Sequence, residues 1–389
     1  MPLQDKLRPS LQKKLLALDG GGIRGLVSIE VLAQLERMLR SELGRGDEFR
    51  LSDYFDYVAG TSTGAIIATC VSLGMSVDEI REFYERNGRA MFSKASFLHR
   101  FRYRFDDQLL ATRLREAFNS YAARDGSVSG ELTLGSPALQ TLLMLVMRNA
   151  TTDSPWPISN NPAAPFNDRS LPDCNLHIPL WQLVRASSAA PTYFPPEEIR
   201  LGERSFLFVD GGVTPYNNPA FLLFLMATVP AYRLSWPTGV ERMLVVSVGT
   251  GAHANANAEL APDQMNLLFN AMSIPSALMY ASMNQQDMLC RVFSRCRVGD
   301  ALDAEVESLM SPEDAESGSA LPKLFTYMRY NAELDSGWLA QRGLAHIDAS
   351  HVRQMDSVEH TDELQDVGRA LAKQVRAEHF RPFLAPESA

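Results

Sequence analysis

The chain has 389 residues, 46% of them hydrophobic, and a formal net charge of −9 at pH 7. This length and hydrophobic content suffice for a large buried core, in one large α/β domain with insertions or in two domains. The acidic balance excludes the basic surface that non-specific nucleic-acid binding needs, so neither DNA nor RNA is an expected partner.

The cysteines and the apolar segments bear on the expected compartment. None of the four cysteines belongs to a close C-x-x-C pair or to a zinc-like cluster with histidine, so we expect reduced thiols that are mostly buried. They are Cys70, Cys174, Cys290 and Cys296. The amino terminus lacks the apolar region of a secretory signal, and the longest apolar stretch, 219–232, is shorter than the roughly 20 residues of a membrane span. We therefore expect a cytoplasmic protein.

The first predicted unit is a strand, a glycine-rich turn and a helix. A short apolar strand over 15–18 leads into "DGGGIRG" at 19–25. Apolar residues then recur at helical spacing, which predicts an amphipathic helix over 26–43.

The glycine-rich turn has two interpretations. It fits G-x-G-x-x-G at Gly20, Gly22 and Gly25, with Glu42 further along the chain, as in a dinucleotide-binding turn. Alternatively, the amides of Gly20, Gly21 and Gly22 at a helix amino terminus form a cradle for a transient oxyanion. The turn alone does not decide between a redox enzyme and an acyl hydrolase.

A second strand, turn and helix are predicted at 55–73, "FDYVAGTSTGAIIATCVSL". Two such units in succession predict a parallel sheet. The turn contains G-x-S-x-G at Gly60, Ser62 and Gly64, which in this context exposes a nucleophilic serine, whereas elsewhere it would be a flexible loop. The amide of Thr63 is a further candidate donor to an oxyanion.

Later segments predict the rest of the architecture. Further strands are expected at 141–147, 206–210 and 242–251. Residues 149–168 and 310–322 are rich in proline or in small polar residues and are predicted to be loops. A helix over 361–380, which starts at Thr361, carries a regularly spaced apolar face and is expected to dock on the core.

A serine nucleophile needs a base, and Asp210 is the best candidate. It ends the apolar strand in "FLFVDGG", at a carboxyl end where α/β active sites collect, although it could also merely cap the following turn. His253, His346 and His351 come late enough for a serine–aspartate–histidine order, but none lies in a motif. We therefore expect a dyad of Ser62 and Asp210.

Four segments together resemble the patatin-like phospholipases. In chain order they are "DGGGIRG", "GTSTG", "RASSAAPTYFPP" at 185–196 and "DGG". The resemblance implies an α/β protein with a three-layer α/β/α fold and a mostly parallel central sheet. It implies an acyl hydrolase domain over 14–300 and a C-terminal extension over 301–389, which packs on the same domain and is a candidate for regulation.

The resemblance also implies a role for each matched residue. The oxyanion hole would comprise the glycine loop and the following basic residue: Gly20, Gly21, Gly22 and Arg24. Ser62 would be the nucleophile and Asp210 the general base. Gly212 departs from the family, where alanine is common, without consequence for the chemistry. The expected activity is hydrolysis of fatty-acyl esters of membrane phospholipids, with no metal or cofactor.

A narrower resemblance is to bacterial patatin-like effectors of anti-phage defence that cyclic nucleotides activate. It rests on "SPWPISNNP", "LWQLVRASSAAP" and "YMRYNAEL". It implies a cyclic di- or trinucleotide activator, a membrane phospholipid substrate and transient peripheral contact with the inner membrane. A constitutive lysophospholipase or esterase without nucleotide control is the alternative, and homo-oligomerisation is left open.

Basic and aromatic residues interleave in "FSKASFLHRFRYRFDD" at 92–107, where they could contact a nucleotide or a lipid headgroup, or form a solvated basic face. The candidate contacts are Arg100, Arg102, Tyr103 and Arg104, with Arg329 and Tyr330 as a second candidate pair. Residues 92–106 and 149–170 are candidate lids.

Overall fold

A computed structural model of the chain describes residues 3–9, 12–92, 106–123, 130–191, 194–254, 267–303, 305–310 and 321–384. The strands are β1 (Lys13–Leu18), β2 (Tyr57–Thr61), β3 (Leu142–Asn149), β4 (Ser154–Ser159), β5 (Glu197–Leu201), β6 (Arg204–Asp210), β7 (Met243–Val248), β8 (Ser294–Val298) and β9 (Phe325–Tyr330). The helices are α1 (Leu3–Lys6), α2 (Gly25–Glu42), α3 (Leu51–Tyr54), α4 (Thr63–Ser72), α5 (Val77–Phe92), α6 (Asp106–Ala123), α7 (Leu180–Ser187), α8 (Ala220–Thr228), α9 (Leu267–Phe293), α10 (Ser336–Gln341), α11 (Ala349–Arg353), α12 (Thr361–Ala372) and α13 (Ala377–Phe380).

The described strands form one nine-stranded sheet in the order β5-β6-β3-β2-β1-β7-β9-β8, with β4 paired to β3. The six strands from β3 to β8 in this order run parallel, whereas β4, β5 and β6 are antiparallel to their neighbours. Parallel strands are covered on both faces and read as continuous apolar runs, as residues 142–147 of β3 do. The predicted mostly parallel sheet is confirmed.

The sheet separates two hydrophobic cores. Leu16 and Leu18 of β1 pack into the core that also contains α2, α4 and α12, while Leu15 and Ala17 pack into the core beneath α8 and Trp236. Successive side chains of a strand point to opposite faces, so this alternation puts one helical layer on each side. The three-layer α/β/α architecture is therefore confirmed.

The predicted loop over 149–168 is wrong in part, because it contains β4. This strand pairs antiparallel with β3, from Met144 opposite Ser159 to Asn149 opposite Ser154. Pro155 and Pro157 cannot donate ladder hydrogen bonds, which confines proline within sheets to edge positions. Composition suggested a loop, but the prolines are compatible with an edge strand.

The C-terminal segment packs on the same body. Leu364, Val367 and Leu371 of α12 are fully buried against the core, as expected of a docking helix, although α12 ends at Ala372. Gly368 allows close packing, since a Cβ there would lie 2.7 Å from Glu30 Cβ on α2. Strand β9 lies inside the sheet, between β7 and β8, so the sheet extends beyond residue 300. The division at 300 stays a prediction. None of the described helices is long and apolar enough to cross a membrane.

Candidate active site

Strands β2 and β6 end at adjacent positions on one edge of β3. Thr61, the last residue of β2, lies opposite Val146, and Asp210, the last residue of β6, lies opposite Met147. Strand β4 occupies the other edge of β3, so β2 and β6 share this one. Because they approach from opposite directions and stop at adjacent positions of β3, Ser62 and Asp210 are brought together.

Ser62 occupies a strained turn between β2 and α4. Its φ of 55° and ψ of −122° lie where residues with a side chain are rarely found, at a cost of roughly 1–3 kcal/mol. A Cβ at Gly60 would overlap the Gly64 carbonyl, and a Cβ at Gly64 would overlap the Leu18 carbonyl. The two glycines of G-x-S-x-G are therefore required by the close approach of backbone segments.

The carboxylate of Asp210 accepts a hydrogen bond on each of its oxygens. Its Oδ1 accepts a hydrogen bond from the Gly212 amide at 2.6 Å and caps the turn, while its Oδ2 accepts one from Ser62 Oγ, also at 2.6 Å. Burial raises the pKa of Asp210 to about 6, against the opposing effect of these two hydrogen bonds. Near neutral pH the carboxylate is ionised and can accept a proton.

Ser187, which the sequence did not single out, supports the Ser62 turn. Its hydroxyl accepts a hydrogen bond from the Ser62 amide at 3.0 Å and donates one to the Val146 carbonyl at 2.6 Å. The side chain thus ties the turn to β3. The segment "RASSAAP" carried the family resemblance, but no rule of spacing distinguishes this serine from Ser188 beside it.

The glycine loop offers two of its three predicted amides. The Gly20 amide donates to the Asn217 carbonyl at 3.2 Å, so it is already used. Within the described ranges the amides of Gly21 and Gly22 donate to no acceptor, and neither does that of Thr63 at the start of α4. Gly21, Gly22 and Ser62 line the same cavity. Free amides at a helix start are suited to hold a developing negative charge.

Arg24 contacts the loop and a second segment that covers it. Its guanidinium donates to the carbonyl of Gly21 at 3.5 Å and to that of Arg353 at 3.2 Å. The Ile23 amide donates to the Met355 carbonyl at 2.9 Å. Residues 353–355, which we call the strap, are therefore bound to the glycine loop at two points. Burial lowers the pKa of Arg24 to about 10, so the side chain stays charged at neutral pH.

A buried ion pair anchors the start of the glycine loop. Arg329 Nη2 lies 2.6 Å from Asp19 Oδ2, and Arg329 Nη1 also donates to Ser247 Oγ at 2.8 Å. Burial alone would lower the pKa of Arg329, but the Asp19 carboxylate raises it above its ordinary value. The pair joins β9 to the residue that precedes Gly20.

This placement argues against a direct role of Arg329 and Tyr330 in ligand contact. Arg329 is 4% exposed and forms an ion pair with Asp19, and Tyr330 is fully buried in the core. Tyr330 presents no surface to a ligand, and Arg329 lines a cavity of about 30 Å³, which is too small for a nucleotide or a headgroup. The other predicted contacts, Arg100, Arg102, Tyr103 and Arg104, lie outside the described residues.

None of the described histidines hydrogen-bonds to Ser62 or Asp210. His253 lines the cavity, and burial lowers its pKa, so it is neutral near pH 7. His346 is exposed, and His351 pairs with Glu363. A serine–aspartate pair without histidine is thus the arrangement in the described part of the chain.

The geometry also counts against the dinucleotide interpretation. That interpretation needs Glu42 beside the glycine turn, but Glu42 ends α2, which begins at Gly25 and has 18 residues. At 1.5 Å per residue the carboxylate lies on the order of 25 Å from the turn. It cannot contact a ribose whose phosphates rest on the glycines.

The site opens into a cavity of about 750 Å³. Much of its wall is apolar, as an acyl chain requires. The apolar lining includes Met91, Phe92, Phe194, Val213, Met279 and Met283. No residue of the candidate lid 149–170 is among those that line it. Of the other candidate lid, 92–106, Phe92 lines the cavity, Asp106 starts α6, and 93–105 lie outside the described residues.

Removal of Arg329 should destabilise the protein, because the buried carboxylate of Asp19 would lose its partner. We expect Arg329→Met to lower the free energy of unfolding by about 3–5 kcal/mol, because an unpaired buried carboxylate remains. Urea denaturation measures this. The double variant Asp19→Asn/Arg329→Met should recover part of the loss, since both charges are gone. An Arg329→Met variant as stable as the wild type would contradict the anchoring role.

Comparisons with known proteins identify the family of the chain. The family model for patatin-like phospholipases matches residues 16–224. Patatin-17 of Solanum cardiophyllum is 28% identical over 253 residues, which cover 61% of this chain and 60% of that protein. The cGAMP-activated phospholipase of Vibrio cholerae is 30% identical over 224 residues, which cover 54% of this chain and 56% of that protein. The matches thus span less than two thirds of either relative.

Among solved structures, human GIVD cytosolic phospholipase A2 is similar at 12% identity and a TM-score of 0.45, covering 98% of this chain and 62% of that one. The family model itself covers more than half of the 389 residues, and it includes the glycine loop, the Ser62 turn and Asp210. The chain therefore belongs to the patatin-like phospholipase family.

Proposed function

We propose that the protein is a serine acyl hydrolase that cleaves fatty-acyl esters of phospholipids with a dyad of Ser62 and Asp210. The observation that carries this proposal is the 2.6 Å hydrogen bond from Ser62 Oγ to Asp210 Oδ2, on a strained turn beside the free amides of Gly21 and Gly22. The apolar cavity of about 750 Å³ supports a lipid substrate.

In the first half of the proposed reaction, Asp210 Oδ2 accepts the proton of Ser62 as Oγ attacks the ester carbonyl carbon. The carbonyl oxygen becomes an oxyanion, which the amides of Gly21 and Gly22 stabilise, with Thr63 as a further donor. Collapse of this intermediate breaks the bond to the leaving alcohol, which takes the proton from Asp210. The fatty acyl group remains esterified to Ser62.

In the second half, water replaces the alcohol. Asp210 accepts a proton from water as the water oxygen attacks the acyl carbon, and the same amides stabilise the second oxyanion. The bond to Ser62 Oγ then breaks, Oγ recovers the proton from Asp210, and the fatty acid leaves. Arg24 contributes by holding the Gly21 carbonyl and the strap, which fixes the direction of the loop amides.

The proposed substrate requires contact with a membrane surface. Val213 lines the cavity and is 45% exposed, and Leu278, next to cavity-lining Met279, is 62% exposed. Large apolar side chains beside an apolar cavity are suited to enter the headgroup region. The contact we propose is peripheral and transient.

We also propose that a cyclic oligonucleotide activates the hydrolase. This proposal rests on the likeness to the Vibrio cholerae protein, which is named for activation by cGAMP. Binding of an activator would have to favour a productive arrangement of the dyad and the glycine loop, because a ligand shifts only an equilibrium between states that it binds unequally.

Conservative variants of the dyad provide the main test. We expect Ser62→Ala and Asp210→Asn to lower kcat for a nitrophenyl ester and for phospholipid vesicles by about 10²–10⁴-fold, while unfolding stays close to the wild type. Asn can still accept the Gly212 hydrogen bond but cannot act as a base.

Ser170 and Asp168 supply matched controls, because they hydrogen-bond to each other in an exposed loop. Ser170→Ala and Asp168→Asn should keep full activity. If Ser62→Ala or Asp210→Asn kept it as well, the dyad would be refuted.

The raised pKa of Asp210 predicts a pH profile. Below about pH 6 the carboxyl is protonated and cannot accept the proton of Ser62, so kcat/KM should fall as pH decreases and level off above pH 7. Initial rates with an uncharged ester, measured from pH 5 to 8, give the apparent pKa. A rate that is constant through this range would contradict Asp210 as the base.

The regulatory proposal predicts a rate that depends on a nucleotide. Phospholipid hydrolysis should rise at least about tenfold with one member of a panel of cyclic di- and trinucleotides, and linear dinucleotides serve as the control. Equal rates with every nucleotide and without any would refute activation and favour a constitutive esterase.

A further inference from the structure

Two histidines and a glutamate converge beside the strap. His351 lies on α11, His360 immediately precedes α12, and Glu363 lies in the first turn of α12. The imidazole rings stack with centroids 3.7 Å apart and planes inclined by 18°. Glu363 oxygens lie 3.2 Å from His351 Nδ1 and 3.1 Å from His360 Nδ1. Each side chain is about one-third exposed, so solvent reaches the cluster.

The spacing suits a divalent transition metal. In a tetrahedral zinc site with bonds of about 2.0–2.2 Å, neighbouring ligand atoms are roughly 3.3–3.6 Å apart. The nitrogen–oxygen separations here are only slightly shorter, and the candidate ligand atoms all lie within 4.8 Å of one another. Two imidazoles and one carboxylate are a donor set that zinc accepts, with water at the remaining position.

Helix capping does not account for the cluster. His360 is the N-cap residue of α12, but its side chain makes no hydrogen bond to the helix backbone. His351 comes from a different helix and has no part in the start of α12. The shared carboxylate therefore brings three candidate ligand side chains together without serving the local backbone, and binding of one ion by both imidazoles requires the stacked rings to turn towards it.

We propose that His351, His360 and Glu363 bind a divalent transition-metal ion of the zinc type, and that this ion fixes the strap. The strap, 353–355, lies between the two histidines in the chain, and a metal bound to both closes the loop that contains it. Because the carbonyls of Arg353 and Met355 bind the glycine loop, the ion would also hold the loop that carries the proposed oxyanion donors.

Metal binding is testable without reference to catalysis. The full-length protein, stripped with a chelator, is titrated with zinc chloride in competition with a chromogenic chelator. We expect one equivalent to bind to the wild type. His360→Ala and Glu363→Gln should each weaken binding at least about 100-fold, since loss of a supporting residue alone costs 10–100-fold. His346→Ala, which removes an exposed histidine from the same C-terminal region, should bind like the wild type.

Cobalt(II) gives a second readout. Bound to this site it should produce visible absorption bands of a tetrahedral ion, and the bands should be absent in His360→Ala. Zinc should also raise the Tm of the wild type and of His346→Ala but leave that of His360→Ala unchanged. No zinc uptake by the wild type, or uptake by Glu363→Gln and His360→Ala that equals that of the wild type, would overturn the site.

The effect on the strap rests on the proposed function and has a separate test. Zinc should change kcat for a nitrophenyl ester in the wild type but not in His360→Ala. If no variant hydrolyses esters yet zinc binds through these three residues, the proposed function fails and the site stands. If the enzyme is active and zinc binds without altering kcat, the coupling to the strap is refuted.

Discussion

The arrangement of this molecule depends on the meeting of two strands on one edge of β3. Strand β2 ends opposite Val146 and strand β6 ends opposite Met147, so the ends of the two strands are one residue apart along β3. Both then turn sharply out of the sheet, β2 into α4 and β6 into the short turn capped by Asp210. The Ser62 hydroxyl and the Asp210 carboxylate reach hydrogen-bonding distance because the two strands end at adjacent positions of β3. Ser187 links the Ser62 turn to β3 through its hydrogen bonds to the Ser62 amide and the Val146 carbonyl.

The glycine loop depends on buried contacts of a different kind. Arg329 pairs with Asp19 at its start, Asn217 binds the Gly20 amide, and Thr250 Oγ1 donates to the Gly20 carbonyl at 2.9 Å. The strap covers its other end. These contacts occupy the Asp19 carboxylate and the amide and carbonyl of Gly20, whereas the amides of Gly21 and Gly22 have no acceptor within the described residues and are available to the oxyanion that we propose. A preorganised donor needs no reorganisation as charge develops, which is the main advantage of such a rigid loop.

Sequence patterns predicted the elements that are specified by neighbouring residues. The two strand–turn–helix units, the Ser62 turn and Asp210 follow from glycine spacing and apolar runs, which are properties of neighbouring residues. Three features could not be found in this way. The edge strand β4 has the composition of a loop, Arg329 meets Asp19 across 310 residues of chain, and the His351, His360 and Glu363 cluster matches no ligand spacing of a known motif. All three features depend on which segments the fold brings together, and patterns among neighbouring residues do not predict these long-range contacts.

We propose that Ser62 is an activated nucleophile and that Asp210 activates it. To test this, the protein is treated with a fluorophosphonate probe and the adduct is located by tandem mass spectrometry. We expect a single adduct on the Ser62 hydroxyl, formed much more slowly in Asp210→Asn because the base is missing. An adduct on another residue with Ser62 unmodified, or equal labelling rates with and without the Asp210 carboxylate, would contradict it.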